Sequence, residues 1–113
     1  MHTDYTLFQN WLEEKNVTDI QIIDISGISV DMEAFIIGTA SNERLAKAAA
    51  EFVEEKAELA GFTLRGREGR HDSKWILLDF GEAVVHIFQE EERRNYNLEK
   101  LWIDGKIITK ENL

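Results

Sequence analysis

The feature that most constrains the fold is a pair of dense apolar runs separated by only two residues. The runs cover residues 75–80 and 83–88, and Gly81-Glu82 lies between them. Two strands joined by a two-residue loop that opens on glycine predict a type II′ hairpin. The loop length also sets the register, in which the opposed pairs are Phe80 and Ala83, Asp79 and Val84, Leu78 and Val85, and Leu77 and His86.

Alternation of side chains divides the predicted hairpin into two faces. One face is wholly apolar and is predicted to be core: Ile76, Leu78, Phe80, Ala83, Val85 and Ile87. The other face is mixed, which predicts partial cover by another element or by a partner: Trp75, Leu77, Asp79, Val84, His86 and Phe88. On it Asp79 and His86 are diagonal neighbours, about 7–8 Å apart at their β-carbons. His86 is therefore interpreted as hydrogen-bonded to a neighbour, with Asp79 as the candidate, or as a direct partner contact.

The whole chain predicts an α/β (α+β) fold, a mixed sheet of about five strands with helices packed on it, in the order α, β, β, α, β, β, β and then short helices. Residues 20–25 and 32–38 are predicted strands, and residues 62–64 begin a third. A first helix has an apolar stripe at helical spacing and a cap at Thr3 or Asp4: Tyr5, Phe8, Trp11 and Leu12. The longest helix is predicted from a cap at Ser41 or Asn42 to Gly61, with one Ala-rich stripe that lets it approach the sheet closely: Leu45, Ala49, Phe52, Val53, Ala57 and Ala60.

For two segments the sequence allows two interpretations each. Residues 65–74, RGREGRHDSK, have no hydrophobic period and are predicted to form an exposed loop. That loop is either a plain solvated connection or a contact for RNA phosphates. Residues 106–110 are compatible with an added edge strand or with an ordered tail.

Composition narrows the classes of partner. The net charge is −9, so general or sequence-specific binding to nucleic acid is not expected and a basic protein partner is more plausible. Solubility alone is the other explanation of the surplus acids. No cysteine is present, which excludes disulfides and thiol catalysis. No apolar run approaches the ~20 residues that a membrane span needs, and we expect a cytoplasmic location.

The two runs and the residues after them resemble a known family. The sequence WILLDFGEAVVHIF followed by EEERRNYNLEKLW is similar to the signature of the ribosomal silencing factors, also called the Iojap-like family. The resemblance covers about residues 18–102. The positions that match are Trp75, Leu77, Asp79, Gly81, Glu82, Val85, His86, Phe88, Arg93, Tyr96, Leu98, Glu99, Leu101 and Trp102.

The resemblance implies one domain over residues 1–113, with an N-terminal helix over 1–17 and a C-terminal tail over 103–113. It implies a translational repressor that binds the large ribosomal subunit through ribosomal protein L-fourteen. Such a protein sterically blocks association with the small subunit under nutrient limitation, and commonly forms homodimers. The partner-binding positions carried over by the motif are Trp75, Asp79, Glu82, His86, Arg93, Tyr96, Glu99 and Trp102.

Catalysis is the alternative, because the family's fold resembles that of nucleotidyltransferases. Those enzymes hold magnesium with paired carboxylates, whereas Asp79 stands alone and the other candidates are Asp24 and His86. Since His2 and His71 lie far from His86 in sequence, no metal-ligand spacing occurs. The sequence therefore predicts no enzyme, no cofactor and no metal. A degenerate nucleotide-binding protein is the alternative, and a structural dimer module without a ribosomal role is a third hypothesis.

Overall fold

The computed structural model describes residues 5–25, 32–69, 74–90 and 106–108. Two helices and six strands lie in these ranges. In chain order they are α1 (Thr6–Glu14), β1 (Thr18–Asp24), β2 (Ala34–Ala40), α2 (Glu43–Leu59), β3 (Gly66–Gly69), β4 (Trp75–Asp79), β5 (Ala83–Gln89) and β6 (Lys106–Ile108). Within the described chain, neither helix is long and apolar enough to cross a membrane.

All six strands form one mixed sheet in the order β3-β4-β5-β2-β1-β6. The central pair, β2 and β5, is parallel, and every other neighbouring pair is antiparallel. The predicted fold class, a mixed sheet with helices packed on it, is confirmed. The sixth strand is β6, which pairs with β1 and makes residues 106–108 an edge strand, whereas residues 109–110 lie outside the described residues.

The central hairpin, β4 and β5, has the predicted register. Asp79 lies opposite Val84, and Leu77 lies opposite His86. The backbone N–H of Phe80 donates to the carbonyl of Ala83 at 2.9 Å, which closes the two-residue loop. Gly81 has a φ of 85°, the left-handed value that the first loop position of a type II′ turn requires and that glycine adopts without steric cost.

The sheet buries apolar side chains on both faces, and the two faces belong to separate clusters. On the first, which we call the helix face, the inward residues of α1 and α2 pack with Ile36, Leu78 and Val85. On the second face, Ile37, Val84 and Phe88 form another cluster with their strand neighbours. Both described helices lie on the helix face. Any cover for the second face therefore comes from outside these two helices.

The ends of α2 follow the sequence closely. Asn42 caps the helix, because its Oδ1 accepts from the backbone N–H of Leu45 at 2.9 Å. Gly61, with a φ of 95°, ends it in a Schellman motif in which the N–H of Phe62 donates to the carbonyl of Ala57. Leu45 of the predicted stripe packs against the core from a half-buried position. The stripe is wrong at Phe52, which is half-buried outside that cluster, and at Ala60, which is exposed. The buried residues are Ala46, Ala49, Ala50, Val53 and Ala57; this almost all-alanine stripe lets α2 approach the sheet closely.

At α1 the predicted stripe holds, since Phe8 and Leu12 are fully buried. The helix ends where Asn16 adopts a φ of 63°, a left-handed value that asparagine tolerates better than most residues. The predicted caps Thr3 and Asp4 lie outside the described residues.

Two predictions around the third strand are wrong. Residues 62–64 are not a strand, and β3 instead forms inside the segment predicted to be a loop. Its backbone pairs with β4, with Gly66 opposite Asp79 and Gly69 opposite Ile76. An edge strand needs main-chain pairing on one side only, and exposed side chains give it no hydrophobic period to detect. Arg67 in this strand reaches back to Glu54 of α2, with 3.0 Å between Nη1 and Oε1.

Candidate functional site

The second face of the sheet carries the described residues that the sequence singled out for partner binding. Trp75, Asp79 and His86 alternate with core positions on β4 and β5, so their side chains all lie on this face. Glu82 sits in the loop that joins the two strands. The other four predicted positions, Arg93, Tyr96, Glu99 and Trp102, lie outside the described residues.

His86 is held by Trp75. The indole Nε1–H donates to Nδ1 of the imidazole at 3.1 Å. An Nδ1 that accepts has no proton, so the neutral ring carries its proton on Nε2. Only 4% of His86 is exposed, and burial lowers the pKa of the imidazole to about 4. The ring is therefore neutral at physiological pH and offers a hydrogen-bond donor at Nε2.

The bond between Trp75 and His86 corrects one interpretation from the sequence. A neighbour does hold the imidazole, as expected, but the neighbour is Trp75 and not Asp79. Both lie diagonally across from His86, since Leu77 is the residue directly opposite. The indole is long enough to span the diagonal, whereas the short carboxylate of Asp79 bonds to the backbone of its own turn.

Four rings form an aromatic cluster on this face: Phe35, Trp75, His86 and Phe88. The indole of Trp75 stacks on Phe88 with 4.9 Å between ring centroids. Phe35, from the parallel neighbour strand β2, meets the imidazole edge-on at 5.0 Å. The cluster fixes the orientation of the imidazole and with it the direction of its polar atoms.

Asp79 and Glu82 both hold the hairpin loop. Oδ1 of Asp79 accepts from the backbone N–H of Gly81 at 2.8 Å. The carbonyl of Glu82 accepts from the N–H of Glu33 at 2.7 Å and from that of Ala34 at 3.2 Å, which ties the loop to the start of β2. The contacts give the side chain of Asp79 and the backbone of Glu82 a structural role, and both side chains remain half-buried at a surface cavity that Arg65 also lines.

The sequence did not identify two of the candidate functional residues. Glu68 of β3 lies beside Leu77, and Phe35 of β2 lies beside Val84, so both border the second face. Glu68 was hidden because its segment was interpreted as a loop. Phe35 belonged to a run that is apolar on both faces, and only the parallel pairing of β2 with β5 places its ring against His86.

The three residues considered for catalysis are not brought together. Asp24 of β1 lies on the helix face, because it alternates with Ile23, which belongs to the cluster on the second face. Asp79 and His86 lie on the second face. In the described part of the chain, no group of three or more acidic or imidazole side chains is arranged to hold a metal ion.

Comparison with known proteins decides the family. The family model described as "Ribosomal silencing factor during starvation" matches residues 2–113. The chain belongs to the ribosomal silencing factor family. The ribosomal silencing factor of Bacillus subtilis is 35% identical over 95 residues, which are 84% of this chain and 80% of that protein. That of Haemophilus influenzae is 40% identical over 85 residues, which are 75% of this chain and 83% of that protein.

Solved structures of similar proteins have the same fold. A crystal structure of a Chromobacterium violaceum protein has a TM-score of 0.81 at 33% identity, with 86% of this chain and 81% of that chain covered. A second, from Bacillus halodurans, has a TM-score of 0.79 at 31% identity, with coverage of 92% and 94%. Membership in the ribosomal silencing factor family gives the chain a ribosome-associated silencing role and confirms the resemblance read from its motifs.

Proposed function

We propose that the protein represses translation by binding the large ribosomal subunit through ribosomal protein L-fourteen and blocking its association with the small subunit. The observation that carries the proposal is the character of the second face. Its half-buried Trp75 and Leu77 lie beside carboxylates, and no described helix covers them. Aromatic anchors with a polar rim are typical of the centres of protein interfaces.

Charge supports a basic partner. The whole chain has a net charge of −9, and Glu68, Asp79 and Glu82 lie on or beside the candidate face. A surface of this sign attracts a protein that is rich in lysine and arginine and repels exposed RNA phosphates.

One relative is named for its role in large-subunit assembly: the mouse "Mitochondrial assembly of ribosomal large subunit protein 1" is 27% identical over 106 residues, which are 88% of this chain and 45% of that protein.

The mechanism needs no reaction. A protein that occupies the surface where the two subunits meet lowers the concentration of subunits able to join, and the effect follows its affinity and concentration. The protein therefore acts without catalysis and without a cofactor. We place its action in the cytoplasm, and the same mechanism is open to a homodimer. The partner-binding residues proposed with it are Trp75, Asp79, Glu82, His86, Arg93, Tyr96, Glu99 and Trp102.

The test is a subunit-joining assay. Purified large subunits are incubated with the protein before small subunits are added, and joined ribosomes are separated on a sucrose gradient. We expect the protein to sediment with large subunits and to decrease the joined fraction in proportion to its occupancy. Free ribosomal protein L-fourteen, added in excess, should relieve the inhibition. If the protein stays at the top of the gradient, or if joining is unaffected at full occupancy, the proposal is wrong.

A further inference from the structure

A hollow of about 320 Å³ lies on the second face, and the absence of a side chain at Gly66 explains it. Gly66, Asp79, Val84 and Phe35 occupy one row across four neighbouring strands. Three of these positions carry side chains, whereas the edge position is glycine. A β-carbon placed on Gly66 would meet no heavy atom within 4 Å, so the edge of the row is open space.

Much of the wall of the hollow is apolar, and the charged side chains in it are acidic. Leu77 and Val84 form part of its lining, together with Phe35 and Met32. The charged residues among its described lining are Glu68 and Asp79, both acidic. The ion pairs formed by described residues use neither of these carboxylates. The hollow thus combines apolar contact with two carboxylates that have no cationic partner in the described chain.

His86 adds a directional group to this lining. Its Nδ1 is engaged by Trp75, and its Nε2 is buried with no acceptor among the described residues. Buried polar atoms are nearly always hydrogen-bonded in folded proteins, and an exception calls for a physical reason. A ligand that brings a hydrogen-bond acceptor to Nε2 would provide that reason.

The dimensions favour a single side chain over a cofactor. Pockets for small molecules range from about 300 to 1,000 Å³ and enclose most of their ligand. This hollow is at the lower end of that range and is open at the sheet edge. A second hollow of about 260 Å³ adjoins it along β3, where the lining also includes Glu68 and Leu77, so an extended segment can continue past the first hollow.

We propose that this hollow receives a lysine or arginine side chain from the ribosomal partner, with the aliphatic stem against Leu77 and Val84 and the cationic head between Glu68 and Asp79. The proposal rests on the proposed function for the identity of the partner. A main-chain carbonyl of the partner segment accepts from Nε2–H of His86. Long basic side chains suit such a site, because their stems bury apolar surface while their heads keep polar contacts. Arginine is favoured, since its planar fork donates to two carboxylates at once.

A filling variant tests the hollow without removing any binding group. Gly66→Val places a side chain in open space, and its β-branched form suits a strand. The matched control is Gly69→Val on the same strand, where the backbone borders the second hollow but the added side chain turns away from it. Gly69 faces the helix side, and a β-carbon there makes ordinary contact with Ile76 at 3.7 Å. Circular dichroism and thermal unfolding of both variants verify that the fold is kept.

Binding is measured by NMR titration of the whole protein with a hexa-arginine peptide, and a hexa-glutamate peptide serves as the charge control. We expect the imidazole nitrogen signals of His86 to shift saturably with hexa-arginine only. Gly66→Val should weaken this binding at least about tenfold, and Gly69→Val should leave it unchanged. The proposal is overturned if His86 does not respond in the wild-type protein, or if both variants bind like wild type.

Co-sedimentation with large subunits separates this proposal from the proposed function. If wild type and Gly66→Val sediment equally well with large subunits, the protein is a ribosome binder and the hollow is not its contact. If hexa-arginine binds at His86 but the wild-type protein does not sediment with large subunits, the ribosomal occupant is wrong. If Gly66→Val fails to sediment with large subunits while the wild-type protein sediments with them, both the proposed function and the proposed contact at the hollow are supported.

Discussion

The indole Nε1–H of Trp75 donates to Nδ1 of His86 at 3.1 Å, across the two strands of the central hairpin. This one bond fixes the tautomer of a buried imidazole and keeps a donor at Nε2. Because burial lowers the pKa of His86 to about 4, the ring acts as a neutral hydrogen-bonding group and not as an acid or base near neutral pH. The pair is therefore suited to recognition.

Replacing Trp75 by phenylalanine should destabilise the protein by about 1–2 kcal/mol. The change keeps a ring that can stack on Phe88 and removes the donor, which leaves Nδ1 of His86 buried and unpaired. Urea unfolding followed by circular dichroism measures the loss. Trp11→Phe is the control, because Trp11 packs edge-on against Phe8 at 5.0 Å and its change removes mainly contact area. Equal losses in the two variants would contradict a stabilising role for the bond.

Stability should fall as the pH is lowered from about 6.5 to 4. The pKa of His86 is about 4 in the folded protein against 6.5 ordinarily, so the unfolded chain binds more protons within this window. Between pH 7 and pH 5 the expected contribution of His86 is a loss of roughly 2 kcal/mol. The measurement is urea unfolding at both pH values. His86→Asn, which keeps an acceptor for Trp75 without a titrating group, should show a shallower pH dependence; an identical slope would refute the assignment.

Two substitutions of Asp79 distinguish its hydrogen bond to the turn from the effect of its negative charge. Asp79→Ala removes the acceptor for the N–H of Gly81 and should cost about 1–2 kcal/mol of stability. Asp79→Asn keeps an acceptor oxygen and should lose less than half as much, while it removes the negative charge from the second face. Thermal unfolding compares the two variants. If Asn destabilises as much as Ala, the charge itself, and not the hydrogen bond to the turn, holds this position.

Glycine positions on two strands should respond oppositely to alanine. A β-carbon on Gly38 would lie 2.5 Å from Cγ1 of Val17, in the packed contact between β2 and the segment after α1. Gly38→Ala should therefore cost about 1–3 kcal/mol. Gly66→Ala meets open space and should be neutral, or stabilising by about 0.4–1 kcal/mol through the unfolded state. Differential scanning calorimetry gives both values, and a destabilised Gly66→Ala would contradict the open edge at β3.

The double variant Tyr96→Ala with Trp102→Ala should lose co-sedimentation with large subunits and keep its circular dichroism spectrum. Both residues belong to the family motif and are of the types that dominate interface energetics. Sedimentation through a sucrose cushion measures the bound fraction at several protein concentrations. Undiminished binding in this variant would remove Tyr96 and Trp102 from the proposed interface.

Local chemistry made much of the fold predictable from the sequence. The Gly81-Glu82 loop determined the register of the hairpin, because a two-residue turn opening on glycine permits one pairing of its flanking strands. Asn42 and Gly61 marked the two ends of α2 through side-chain and main-chain bonds to residues three to five positions away. These features depend on neighbours in the chain, and so does the motif that identifies the family.

Only the tertiary structure decided what depends on distant partners. The strand β3 exists because the backbone of a polar segment pairs with β4, and main-chain hydrogen bonds leave no trace in side-chain hydrophobicity. Alternation placed His86 on the second face, yet the choice between its two diagonal neighbours followed from side-chain reach and from the competing bond of Asp79 to its own turn. The hollow beside Gly66 likewise appears only when four strands are aligned, since a missing side chain becomes a site only where the neighbouring rows enclose it.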